Sequence, residues 1–315
     1  MRIQGHGTVR ERQKKRRLRG FDLHQVGDAH GLIGVDEAGR GALAGPVVAG
    51  AVLINRTFLE SNWCRRYACE INDSKQLTAA DRTRLYERMD WLMREHRILF
   101  APGLASVEEI ETENILGATQ LAMGRAVAAA LAIGQIQLHP PDPLFTYQQP
   151  VQLHPGECIT DWLLLVDGKP MRGLGFAHRA IVEGDAKSLV IAMASIVAKV
   201  TRDRLMEALE VEAPGFSFAR HKGYATHAHR EALLALGPSP HHRKLFITTF
   251  LSGKASDTDQ TLFDFVEADA EAHLDEPDVT GAVAEAKLPP VAPPPLTTTT
   301  AGAPVGVGVK PGAVP

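Results

Sequence analysis

The sequence predicts an α/β fold, a mixed sheet flanked by helices. Three observations carry this: short apolar runs alternate with longer segments of helical period, the first two runs are neighbours, and the order reads β-β-α-β-α-β-β-α. Leu32–Val35 is the first run, and Val47–Ile54, rich in Val and bounded by Pro46 and Asn55, is the second; the glycines between them predict a sharply shaped turn. Ala79–His96 sets Leu85, Met89, Leu92 and Met93 at helical spacing behind Thr78 as N-cap. Arg97–Ala101 is a third strand. Ser106-Val-Glu-Glu109 is a capping-box pattern that opens a helix running to Ile133. Leu163–Val166 and Ala180–Val182 are further strands. Lys187–Glu212 is a long helix whose Ala192, Ala194, Ser195 and Ala198 form a close-packing face, and Arg230–Leu236 is a short helix near the end.

The charge is uneven. Residues 1–19 hold eight Lys or Arg and one acid, Glu11, whereas residues 255–315 hold ten acids against Lys287 and Lys310. The chain therefore divides into a flexible basic arm (1–25), a body (26–252) and an acidic, then Pro/Thr/Gly-rich, disordered tail (253–315). The arm's cations suit non-specific contact with phosphates. Within the body, 135–161 carries Pro140, Pro141, Pro143, Pro150 and Pro155, which excludes helix and central strand and predicts a surface insertion. Cys64, Cys69 and Cys158 form neither a disulfide framework nor a zinc pattern, and His227, His229, His241 and His242 match no ligand spacing. No apolar run approaches the roughly 18 residues of a membrane span. These features exclude secreted, membrane and disulfide-built classes and predict a cytoplasmic protein.

Four acids carry the chemistry. Asp36 and Glu37 end the first strand, Asp167 ends Leu163–Val166, and Asp185 follows Ala180–Val182 in Val-Glu-Gly-Asp. Acids placed straight after buried strands lie at the rim of a sheet, where α/β sites form. Carboxylates gathered there repel unless a cation neutralises them, and oxygen-only ligands favour Mg²⁺ or Mn²⁺. Such ions can stabilise the attacking and leaving oxygens of a phosphodiester displacement.

The first pair sits in Gly34-Val-Asp-Glu-Ala-Gly-Arg-Gly41, continuing Ala-Leu-Ala-Gly-Pro46. Here the sequence closely resembles the ribonuclease HII family. The resemblance spans roughly residues 20–250 and recurs at Asn72–Leu77, Asn114–Thr119, Val166–Gly168, Gly184–Ser188, Ala194–Asp203, His221–Thr226 and Gly237–Arg243. It implies a ribonuclease H-like mixed five-stranded sheet with a small helical C-terminal subdomain. It also implies an endonuclease that cuts the RNA strand of RNA/DNA hybrids and nicks duplex DNA 5′ to embedded ribonucleotides, leaving 3′-hydroxyl and 5′-phosphate ends. By resemblance Asp36, Glu37, Asp167 and Asp185 are catalytic, with the first three holding Mn²⁺ or Mg²⁺.

Gly39-Arg40-Gly41 suits close backbone approach to a ribose 2′-hydroxyl. Tyr224 resembles the family tyrosine that packs on the sugar at an RNA–DNA junction, although Ala225 stands where the family commonly has Gly. Ala42 likewise replaces a common Pro. Lys75, Lys187, Lys199, Lys222 and Arg243 are candidate phosphate contacts. In the tail, Gln260-Thr-Leu-Phe-Asp-Phe265 resembles peptides that dock on bacterial sliding clamps. The alternatives are a duplex-binding protein of the same fold without turnover, or ribonuclease HIII. In that sister family the turn after the acids typically has Thr where Arg40 stands, and an N-terminal sheet domain precedes it, for which the short basic arm leaves no room.

Overall fold

A computed structural model describes residues 9–71, 77–134, 136 and 162–252, including all their side chains except those of 9–17, 69 and 249–252. The Asn72–Gln76 stretch with Lys75, the 137–161 segment and everything beyond Ser252, Gln260–Phe265 included, lie outside these residues. In chain order the elements are α1 (Val9–Val26), β1 (Gly31–Ala38), β2 (Val47–Asn55), α2 (Arg56–Glu60), α3 (Asn62–Tyr67), α4 (Ala79–Arg94), β3 (Leu99–Ala105) and α5 (Val107–Gly134). They continue with β4 (Trp162–Asp167), β5 (Arg179–Ile181), α6 (Leu189–Glu212), α7 (Phe218–His221), α8 (His227–Leu236) and α9 (Lys244–Ser252).

The strands form one five-stranded sheet in the order β3-β2-β1-β4-β5. β1 pairs antiparallel with β2, and β2 antiparallel with β3. β1 pairs parallel with β4, and β4 parallel with β5. β1 is central, and its side chains alternate. Leu32 enters the core shared with α6, while Ile33 and Val35 enter the core shared with α5. A third, smaller cluster of Ala44, Met206, Phe216, Phe218, Leu233 and Ile247 lies beneath α7–α9 and forms the helical C-terminal part.

α6 crosses one face of the sheet, and its first three turns are almost wholly buried. Gly34 permits this approach: a Cβ there would fall 2.4 Å from the backbone carbonyl carbon of Val190. On the opposite face α5 starts as its sequence dictates. The Ser106 hydroxyl accepts from the Glu109 amide at 3.3 Å, and the Glu109 carboxylate accepts from the Ser106 amide at 2.9 Å. α5 is not one smooth helix. Asn114 adopts φ 58° and ψ 172°, and its side chain accepts from the amides of Leu116 and Gly117, so it ends one segment and caps the next. By length and composition α5 could cross a membrane. Its Ala118, Ala122, Met123, Ala126, Val127 and Ala130 are instead buried in the core it shares with the sheet.

The arm departs from expectation. Its charge predicts a flexible segment, but from Val9 onwards it is helix α1. Leu18, Asp22 and Val26 recur every four residues and are all buried, and Leu18 and Val26 join the α6-side core. Arg19 Nε donates to the Leu59 carbonyl at 2.6 Å. Asp22 reaches the start of α6, where one carboxylate oxygen accepts from the Val190 amide at 2.8 Å, while Oδ1 is buried without a partner. Burial outweighs these bonds and pushes the Asp22 carboxyl up to about 7.

A raised carboxyl stabilises the fold below its unfolded pKa, and that contribution is lost as pH rises towards 7. A shift this size corresponds to roughly 4 kcal/mol at most. The Tm of Asp22→Asn relative to wild type should therefore rise by about 5 °C or more between pH 4.5 and pH 8 in thermal melts. A constant offset would contradict the assignment.

Candidate active site

β1 and β4 stay in parallel register up to the Val35–Val166 pair, so Asp36 and Asp167 are the next residues on two adjacent strands. Both strands end at the same edge. β5 pairs Ile181 with Asp167, and the chain then turns through Glu183, at φ 54°, so that the Gly184 amide donates to Asp167 Oδ1 at 2.5 Å. Asp185 follows, three residues before Ser188, the N-cap of α6. Pairing register and one turn thus bring three separate stretches of sequence to a single rim.

Asp36 is 6% exposed and Asp185 8%. Asp36 Oδ1 accepts from the Glu37 amide at 2.8 Å, and Ser195, on the buried face of α6, hydrogen-bonds the same carboxyl. Even so, the Asp36 carboxyl is held well above the usual carboxylate range. Burial is the first cause, followed by the charges of Asp167, Glu37 and Asp185. Glu37 is raised too: burial acts first, the Arg40 guanidinium opposes it, and Asp167 adds to it. Arg40 reaches Glu37 at 3.3 Å. The four acids predicted from sequence are therefore one electrostatic unit. Among the described residues, no three His, Cys, Asp or Glu side chains stand in ready ligating geometry. The acids suit a divalent ion by oxygen chemistry and by the charge it would relieve.

The turn after these acids is held from within by two buried arginines. Arg243 donates from Nη2 to Gly39 O at 2.7 Å, from Nη1 to Arg40 O at 3.0 Å, and from Nε and Nη2 to Gly45 O at 3.0 and 2.9 Å. Arg202 donates to the carbonyls of Pro46, Lys222 and Ala44 at 3.1, 2.8 and 3.1 Å. Gly39 is obligatory here: its φ is +85°, and a Cβ would lie 1.8 Å from Arg202 Nε. In a trans peptide the C=O and the following N–H point in opposite directions. With the Gly39 and Arg40 carbonyls turned onto Arg243, the amides of Arg40 and Gly41 face away from it. The glycines themselves are buried, so what this turn can offer is backbone amides and the partly exposed Arg40 side chain.

Other predicted contacts sort differently. Arg243 is not a phosphate contact: it is fully buried beneath the turn, which sequence alone could not distinguish from a surface cation. Lys199 is buried, with Asp203 at 2.8 Å, and burial pulls its pKa down to about 8. Lys222 reaches Glu207 at 2.7 Å, and Lys187 donates to the Val182 carbonyl at 2.6 Å. Tyr224 is buried against Ala42, with the Arg202 guanidinium 5.3 Å from its ring centroid and the Lys199 ammonium 5.9 Å. Sequence reading passed over Arg202 as a clamp and Ser195 as the partner of Asp36. The former had no readable signal, because its carbonyl partners on the turn lie about 156 residues away.

Arg243→Met would leave the Arg40 and Gly45 carbonyls without these donors, at about 1–3 kcal/mol each, and leave Gly39 O only the 3.4 Å bond from the Ala42 amide. Urea denaturation should show a loss of more than about 3 kcal/mol, with Arg243→Lys intermediate. Unchanged stability combined with weakened duplex binding would restore the phosphate-contact role.

The family model "Ribonuclease HII" matches residues 33–143 and 170–249. Asp36, Glu37, Asp185 and Tyr224 fall inside the match, whereas Asp167 falls between its two parts and owes its place to strand register. The ribonuclease HII of Ruegeria pomeroyi is 43% identical over 219 residues, covering 69% of this chain and 76% of that protein. That of Granulibacter bethesdensis is 44% identical over 220 residues, covering 70% and 85%. That of Chloroflexus aurantiacus is 39% identical over 225 residues, covering 71% and 90%. The match takes in most of the described body, and on it the chain belongs to the ribonuclease HII family, whose members are endoribonucleases.

Proposed function

We propose that this endoribonuclease hydrolyses the phosphodiester on the 5′ side of ribonucleotides in duplex DNA, and the RNA strand of RNA/DNA hybrids, with Mn²⁺ or Mg²⁺. The observation that carries the reading is Asp36: a carboxyl inside the protein, crowded by three others and held above its usual range. A binding module gains nothing from such crowding, whereas a divalent-ion nuclease requires it.

Asp36, Glu37 and Asp167 would hold the ion, and Asp185 completes the set. Bound there, a divalent ion neutralises phosphate charge and stabilises the attacking and leaving oxygens. The protein's own groups supply orientation. Ser195 fixes the Asp36 carboxyl from α6, and Gly184 fixes Asp167 from the turn. Arg40 balances Glu37 until substrate arrives. The amides of Arg40 and Gly41, which face away from Arg243, would be donors for a ribose 2′-hydroxyl, the group that separates RNA from DNA. Tyr224, buried against Ala42 of the same turn, would sense the sugar at the junction. Lys75 is a further substrate contact on sequence grounds. The segment Gln260–Phe265 carries the reading of a sliding-clamp partner. Its test is a fluorescent peptide of residues 257–268 titrated with the cognate clamp; binding lost in a Gln260→Ala/Phe265→Ala double variant supports it, and absent or unchanged binding removes it.

The function is tested with a DNA duplex holding one ribonucleotide. Nicking 5′ to it that requires Mg²⁺ or Mn²⁺ is expected, and Asp36→Asn should lower the rate by at least about 100-fold, as loss of a group acting at the reaction centre commonly does. Cleavage on the 3′ side, or none, would contradict the reading. Because the ion binds the folded state, it should also raise Tm, and Asp167→Asn should blunt that rise; an identical response would remove Asp167 from the ligand set.

A further inference from the structure

Just before Tyr224 the backbone is strained. Lys222 (φ 52°) and Gly223 (φ 82°) are consecutive left-handed residues, a conformation costly for a residue with a Cβ. Such strain persists where the surroundings over-determine it, typically beside functional sites. Here every polar backbone atom from the Lys222 carbonyl to the Tyr224 carbonyl is taken. Arg202 holds Lys222 O, and Gly223 O accepts from the amides of Leu43 and Ala44, which lie just past the turn beside the acids. The Tyr224 amide donates to His221 O at 2.9 Å. Histidine rings take the Gly223 amide and, together with the Thr226 amide at 2.8 Å, the Tyr224 carbonyl.

Three buried histidines form one network in which backbone groups dictate each tautomer. The Gly223 amide donates to His221 Nδ1 at 3.2 Å, so His221 carries its proton on Nε2 and donates to Phe216 O at 2.6 Å. The Ser239 amide donates to His242 Nδ1 at 3.0 Å, which puts the His242 proton on Nε2, facing His229 Nε2 at 3.0 Å. His229 must accept there, and its Nδ1–H donates to Tyr224 O at 2.8 Å. His221 and His229 also stack, with centroids 4.3 Å apart and planes within 15°. All six ring nitrogens are engaged with their roles fixed, which makes the set a rigid spacer and an unsuitable metal site.

We propose that His229, braced by His242 and His221, is a positioning residue that holds Tyr224 against the glycine turn and so sets the preference for ribonucleotide-containing duplex. This rests on the nuclease reading of the site. None of the three rings is among the acids that act on the phosphate. Their effect reaches substrate through the Tyr224 carbonyl and the Gly223 peptide.

The test uses the full-length chain and two half-replacements. His229→Asn keeps a donor where Nδ1 stands and loses the contact with His242. His229→Gln keeps a group facing His242 and loses the donor to Tyr224 O. For a duplex with one ribonucleotide, KM should rise about tenfold in His229→Gln and stay within about threefold of wild type in His229→Asn. The single-turnover rate at saturation should remain within about twofold in both. Equal KM for the two variants, or KM changes that follow Tm loss, would reduce the histidines to core packing and overturn the proposal. Long-range ¹H–¹⁵N correlation of the wild-type rings at pH 7 reads the network without activity: protons on Nδ1 of His229 and on Nε2 of His221 and His242 are expected, and a proton on His229 Nε2 overturns it. A wild-type protein that cuts no ribonucleotide substrate yet shows these tautomers would contradict the nuclease reading, not the network.

Discussion

The closeness of α6 to β1 is the constraint on which the rest depends. With glycine at 34 and at its near neighbour across the ladder, Gly50, the helix backbone lies directly on the strands; a Cβ at Gly50 would fall 2.3 Å from the Ala194 carbonyl oxygen. That contact brings Ser195 over Asp36 and draws the start of α6, with Asp185 just ahead of it, to the rim where β1 and β4 end. It also explains why α6 is apolar on all sides through its first turns, and why Asp22 of α1 is buried at its N-terminus.

Charge is then partitioned with unusual economy. Acids are gathered, partly buried, at the rim, while two buried guanidiniums sit behind the turn that follows them. Both guanidiniums donate to main-chain carbonyls of the turn, while among the acids Glu37 has the Arg40 guanidinium at 3.3 Å. The cost is visible in both sets: Asp36 is pushed up by its neighbours, and Arg243 is pushed down to about 9, first by burial and then by the charge of Arg202. At neutral pH Arg243 keeps its charge, and the turn keeps its shape.

Most of the sheet was legible because period and punctuation agree in it. Leu32–Val35 and Val47–Ile54 lie within β1 and β2, and Thr78 and the Ser106–Glu109 box cap the helices they were expected to cap. The first acid pair could be read because a glycine-rich turn follows a buried strand. The pairing that sets Asp167 beside Asp36 could not, since it joins strands about 130 residues apart. α1 was misread because its cations masked the four-residue recurrence of Leu18, Asp22 and Val26. Arg243 and the histidines were opaque for a related reason: a polar side chain becomes structural only through carbonyls and rings supplied by distant segments. The break at Asn114 was signalled by the residue type, which tolerates left-handed backbone, but the helical period on either side concealed it.

The central claim is that the carboxylates at the ends of β1 and β4 form the cation site. Anomalous diffraction from crystals soaked in Mn²⁺ tests it most directly. The account predicts density bounded by the carboxylates of Asp36, Glu37 and Asp167, and its loss in Asp167→Asn. Density at His221, His229 and His242, with none between Asp36 and Asp167, would contradict it.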